Sequence, residues 1–113
     1  MALVTVIETH EYARAAKVLL TEAEQTGIAD YLAQNPEAGV SLGHGLYKVR
    51  FARTGEGKSG GYRTIHFHRA DAGMPVYLLA VYAKNRTSDL TPVQMDGLAR
   101  VVAVIEAGLR RRQ

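Results

Sequence analysis

The spacing of apolar and polar positions changes several times along the chain, and each change marks an element. Near the start, Leu3-Val4-Thr5-Val6-Ile7 is short and β-branched, which predicts a strand within residues 2–8. From His10 to Leu20 the apolar residues Tyr12, Ala16, Leu19 and Leu20 return at helical spacing. A second helix opens at Thr21, where Thr21 and Glu24 form a Thr-x-x-Glu capping box. There the hydroxyl and the carboxylate each satisfy a backbone N–H that has no partner within the helix. This helix is expected to bury Ile28, Tyr31 and Leu32. It should end near Asn35, because Pro36 disfavours helical backbone in the residue before it.

Val40–Gly45 reads as a Gly-punctuated turn, after which the period becomes two. Tyr47, Val49 and Phe51 then face one way, and Lys48 and Arg50 the other. Tyr62–Arg69 alternates similarly, and Pro75–Ala83 is apolar on both faces, as a central strand should be. The last helix has the clearest start, with Thr91 as N-cap, Pro92 at the first helical position and Gln94 closing a capping box. Met95, Leu98, Val102, Ile105 and Leu109 make its core-facing stripe. The order β-α-α-β-β-β-α predicts an α+β fold, an antiparallel sheet with helices packed on one face. At 113 residues a single domain, 1–113, is expected.

Composition narrows the chemistry. There is no Cys, which removes disulfides, thiolate nucleophiles and zinc sites built on Cys. No apolar run approaches the ~20 residues of a membrane span, and the opening residues lack the pattern of a signal peptide. No membrane partner and a cytoplasmic location are therefore expected. The net charge of +3 conceals a division: residues 1–47 carry −4 and residues 48–113 carry +7. Lys48 to Arg69 holds six Lys or Arg against one acid, Glu56, so an anionic partner is expected for this half, nucleic acid first.

Two phosphate-binding motifs fail on context. Gly55, Gly57 and Gly60 spell G-x-G-x-x-G, but a dinucleotide fingerprint must lead into a helix, and Tyr62–His68 alternates like a strand. Gly57-Lys58-Ser59 resembles the end of a P-loop, yet the required first Gly would fall at Ala52. His66 and His68 share a strand face at a spacing that suits a metal pair. With no obvious third ligand unless His44 is near, structural or stacking roles are expected instead. No carboxylate pair looks like a two-metal nuclease site, so neither metal nor cofactor is expected.

What remains is a basic constellation: Lys48, Arg50, Arg53, Lys58, Arg63, Lys84 and Arg86, with Tyr82 and Asn85. Antiparallel pairing can gather these onto one surface. Cleaving RNA requires a base for the 2′-OH proton, cations for the negative phosphorane and a proton for the leaving 5′-oxygen. Arg and Lys supply the second without a metal. Crowded cations also lower the pKa of a Lys among them, which fits it for proton transfer near neutrality. Strict alternation places Arg63 in phase with Ile65 and Phe67, so it can serve such a site only from the fraying start of its strand.

Four stretches together resemble the HigB-like branch of the RelE/ParE toxins: Gly45–Arg53, Gly57–Arg63, Tyr77–Asn85 and Asp89–Pro92. The resemblance is dense over 45–92 and elsewhere rests on element order. It implies a microbial RNase-like fold and a toxin of a type II toxin-antitoxin system. It further implies a metal-independent endoribonuclease that cuts messenger RNA in the ribosomal A site and inhibits translation. Its partners would be mRNA on the ribosome and a cognate antitoxin, often of helix-turn-helix type. Position by position, it implies catalytic roles for Lys48, Arg50, Arg63 and Lys84, and RNA contacts from Arg53, Lys58, Tyr82 and Asn85. The chain departs from the pattern at Tyr47, where a basic residue is common, at His66 and His68, where aromatics are usual, and over Arg86-Thr87-Ser88. Two other readings of the fold remain: a ParE-like gyrase poison, and a non-catalytic module that binds RNA or the ribosome.

Overall fold

The capping box at Thr21 forms as the sequence predicts. Thr21 N–H donates to Glu24 Oε1 at 2.9 Å, and Glu24 N–H donates to Thr21 Oγ1 at 3.1 Å. The helix it opens is the second in a computed structural model that describes residues 3–52, 61–69, 73–83 and 92–112. In chain order the elements are β1 (Val6–Glu8), α1 (His10–Leu19), α2 (Glu22–Gln34), β2 (Val40–Gly43), β3 (Leu46–Phe51), β4 (Tyr62–Phe67), β5 (Val76–Ala83) and α3 (Pro92–Arg112). Thr9 caps α1: its hydroxyl accepts from Tyr12 N–H and donates to the Leu78 carbonyl, tying the helix start to β5. As expected from Pro36, α2 ends at Asn35.

The α+β class and the predicted order hold, with one strand added. Val40–Gly43, expected as a turn, forms β2 beside β3, with a register irregularity between Ser41 and Gly43. The chain reverses through Gly43, His44 and Gly45, all at positive φ. A Cβ on Gly45 would come within 2.7 Å of the Phe67 ring, so glycine is required there for space as well as for backbone.

The five strands run in the order β1-β5-β4-β3-β2. β1 is parallel to β5 and the other pairs are antiparallel, so the sheet is mixed rather than purely antiparallel. The helices also divide between the two faces. Tyr12, Ala16 and Leu20 of the α1 segment and Ile28 and Leu32 of α2 pack against Val49, Tyr62, Val76, Leu78 and Val81. Met95, Leu98, Val102 and Ile105 of α3 pack against Leu46, Ile65, Phe67 and Leu79 on the opposite face. Val49–Thr64–Val81 and Lys48–Ile65–Ala80 are adjacent cross-strand rows, which places the two cores on opposite sides. A sheet apolar on both faces needs both covered. All six residues of β4 are buried, as expected at the centre. Tyr31, expected in the core, is exposed and lies edge-on to Phe51 with centroids 5.8 Å apart.

Candidate active site

Register, rather than sequence proximity, assembles the site. On β3 and β4, Arg50 lies directly opposite Arg63. On β4 and β5, Arg63 lies directly opposite Tyr82. The three therefore form one row across the sheet, each Cβ about 5 Å from the next. Lys48, two residues before Arg50, belongs to the next row with Ile65 and Ala80 and so shares the face. This is the face that α3 covers, and the row lies towards the Phe51–Tyr62 end, beyond Ile65 and Phe67.

Exposure differs sharply within the row. Arg50 is exposed, Lys48 and Tyr82 are half-buried, and Arg63 is only 6% exposed. Arg63, the second residue of β4, lies on the same face as Ile65 and Phe67, as alternation predicts, and is nearly buried there. Its location still aligns it with Arg50 and Tyr82. Two guanidinium-bearing residues directly opposed across β3 and β4 concentrate positive charge on this face of the sheet. Of the other predicted site residues, Arg53, Lys58, Lys84 and Asn85 lie outside the described residues. Lys84 directly follows β5, whose last residue, Ala83, pairs with Tyr62 one row beyond Arg63.

The two strand histidines lie elsewhere. His66 pairs with Tyr47 on the α1–α2 face and stacks on its ring at 5.3 Å and 19°. Its Nε2–H donates to the Pro36 carbonyl at 2.9 Å, which fixes the loop after α2 to the central strand. Burial, reinforced by His68, pushes its pKa down to about 4 against the opposing pull of the Pro36 carbonyl. His66 is therefore a neutral packing residue. His68 is also buried, whereas His44 is exposed on the β2–β3 turn. Among the described residues no three His, Asp or Glu side chains gather where they could hold a metal ion. β4 follows the Gly-rich segment, so the G-x-G-x-x-G match leads into a strand, which removes it as a dinucleotide fingerprint.

A family description fits this arrangement. The model for the RelE toxin of the RelE / RelB toxin-antitoxin system matches residues 4–111. The chain belongs to the RelE toxin family. The match takes in the described elements except the last residue of α3, and includes the segments within 45–92 that carry the resemblance. A RelE-family toxin implies an antitoxin partner. No helix among the described residues is long and apolar enough to cross a membrane.

One feature of the RelE-family fold here was not legible in the sequence. β1 stops at Glu8, opposite Leu78, so beyond Leu78 no described strand lies on the outer side of β5. The gap between β5, the start of α1 and α3 is a cavity of about 390 Å³, lined mainly by apolar side chains. Tyr82 lines it and also ends the Arg50–Arg63 row. The early end of β1 leaves this side of β5 open and α3 bounds the space, and neither feature leaves a local pattern in the chain.

Proposed function

We propose that this RelE-family toxin is a metal-independent, ribosome-dependent endoribonuclease that cuts messenger RNA in the A site. The observation that supports it is the cross-strand row Arg50–Arg63–Tyr82 with Lys48 on the same face. A phosphodiester laid along that row meets a planar guanidinium that can bridge two phosphate oxygens, and a second one behind it. Both favour the phosphorane over the ground-state diester, since charge grows on those oxygens as the 2′-oxygen attacks. Lys48, half-buried two residues before Arg50 on the same face, carries a proton that can be transferred. Lys84, immediately after β5, completes the set implied by the family.

The test is cleavage of mRNA on translating ribosomes with and without EDTA, using ribosome integrity as a magnesium control. Cutting should persist in EDTA wherever the ribosomes stay intact. Loss of cutting on intact ribosomes would rule out the metal-free reading.

A further inference from the structure

We propose that the cavity beside Tyr82 receives an unstacked ribonucleobase next to the scissile phosphate, with Glu11 reading donor groups on its edge. The proposal rests on the ribonuclease reading above and adds a specificity pocket to it.

Position comes first. Tyr82 borders both the cationic row and the cavity, so a phosphate held at Arg50 and Arg63 leaves its own nucleoside one strand-width from the opening. Size and lining come next. About 390 Å³ lies within the range of small-molecule sites, and the walls are Leu79, Ala80 and Tyr82 on one side with Leu98 and Val101 on the other. Gly97 also lines it, and no atom lies within 4 Å of where its Cβ would be. The wall on that side is therefore bare helix backbone facing open space. Proteins that read single-stranded RNA splay bases out, stack them on aromatic rings and bond their edges. The Tyr82 hydroxyl is buried with no hydrogen-bond partner among the described residues, which leaves a donor and acceptor beside the stack.

The polar rim gives the pocket a preference. Glu11 lines the opening, and its side chain is 79% exposed. Its ion pair with Arg14, at 3.0 Å, is a surface contact of small worth that a ligand can displace. A carboxylate only accepts hydrogen bonds. Guanine offers it two adjacent donors, N1–H and the 2-amino group, while adenine and cytosine each offer an amino group. Uracil offers one N–H between two carbonyls that repel the carboxylate. The expected order places guanine first and uracil last, with discrimination of roughly fivefold or more.

Two measurements on the whole chain test this. Methyl NMR with the four ribonucleoside 3′-monophosphates should shift Leu98 and Val101, most with guanosine and least with uridine. In Gly97→Leu, which fills the cavity from a wall with room for a side chain, those shifts should vanish. Mapping 5′ ends on cellular mRNA should show guanine favoured over uracil beside the cut, and Glu11→Gln should reduce that bias to less than about twofold. Absence of methyl shifts with every nucleotide would overturn the proposal, as would an unchanged base bias in both variants. An unchanged bias accompanied by lost neutralisation by the antitoxin would assign the cavity to the antitoxin instead. If wild-type protein binds guanosine here yet cuts no ribosome-bound message, the ribonuclease reading fails and the pocket stands.

Discussion

Arg50 and Arg63 are the same residue type in one row, but burial gives them different roles. Arg50 is exposed, so its truncation removes a phosphate ligand and little packing. Arg50→Ala should slow ribosome-dependent cleavage roughly a hundredfold or more and leave the melting temperature within about 2 °C. Arg63 is nearly buried, and its stem is part of the packing between β4 and its neighbours. Arg63→Ala should therefore lose both activity and about 1–3 kcal/mol of stability. Arg63→Met separates the two effects. It keeps the apolar bulk of the stem, so it should melt above Arg63→Ala yet cut no faster. Rate assays and thermal melts on the four proteins check this. His66 provides a second test. Its folded pKa of about 4 lies below the value near 6.5 of an unfolded chain. Between those values the unfolded state binds the proton first, so stability present at pH 7 falls as pH drops through 6.5 towards 4. The full loss is roughly 3 kcal/mol, with about 2 gone by pH 5, before most carboxylates titrate. His66→Gln keeps a donor for the Pro36 carbonyl and does not titrate. Its melting temperature should fall less than that of wild type between pH 7 and pH 5.

Among the elements, those defined by local signals were legible and those defined by pairing were not. α2 could be read from Thr21, Glu24 and Pro36, because caps and helix stops act within a few residues. β3 and β4 could be read from period two, and β5 from a short run that is apolar on both faces. β2 could not, because Val40–Gly43 is short, contains Gly and becomes a strand only by pairing with β3. The parallel direction of β1 depends on where α1 and α2 return the chain, and the division of helices between faces depends on both sides of β4 being apolar. The candidate site was legible as a set of residue types. Arg63's burial was foreshadowed by its phase with Ile65, but its alignment with Tyr82 follows from the β4–β5 register. Gly45 offers a test at this scale. Its φ is +82° and its added Cβ would strike the Phe67 ring. Gly45→Ala should cost about 2–3 kcal/mol and lower the melting temperature by roughly ten degrees. Gly27→Ala, within α2 and facing open space, should instead raise it slightly.

Taken whole, the molecule has two electrostatic sides. α1 and α2 carry most of the acid of residues 1–47 and cover one face of the sheet, while the Arg50–Arg63 row lies on the other. RNA should therefore approach from the α3 side, with the acids of α2 turned away and Glu11 at the edge of the approach. Such a field attracts an RNA strand but does not fix its geometry. Three or four phosphate contacts should lower affinity for single-stranded RNA roughly a hundred- to a thousandfold for a tenfold rise in salt. Cleavage makes a stricter demand, since the 2′-oxygen must stand in line with the departing 5′-oxygen. A shallow row of cations on one sheet face cannot impose this on a flexible strand. A scaffold that holds the message in a bent path can, and well-oriented reactants gain many orders of magnitude over freely tumbling ones. Naked mRNA should thus bind in a strongly salt-dependent way yet be cut at least about a thousandfold more slowly than the same message on the ribosome. Fluorescence anisotropy across a KCl series measures the first quantity, and primer extension on paired naked and ribosome-bound transcripts measures the second. Equal cutting of the two substrates would place all of the alignment within this chain, and the ribosome would then have no role in the chemistry.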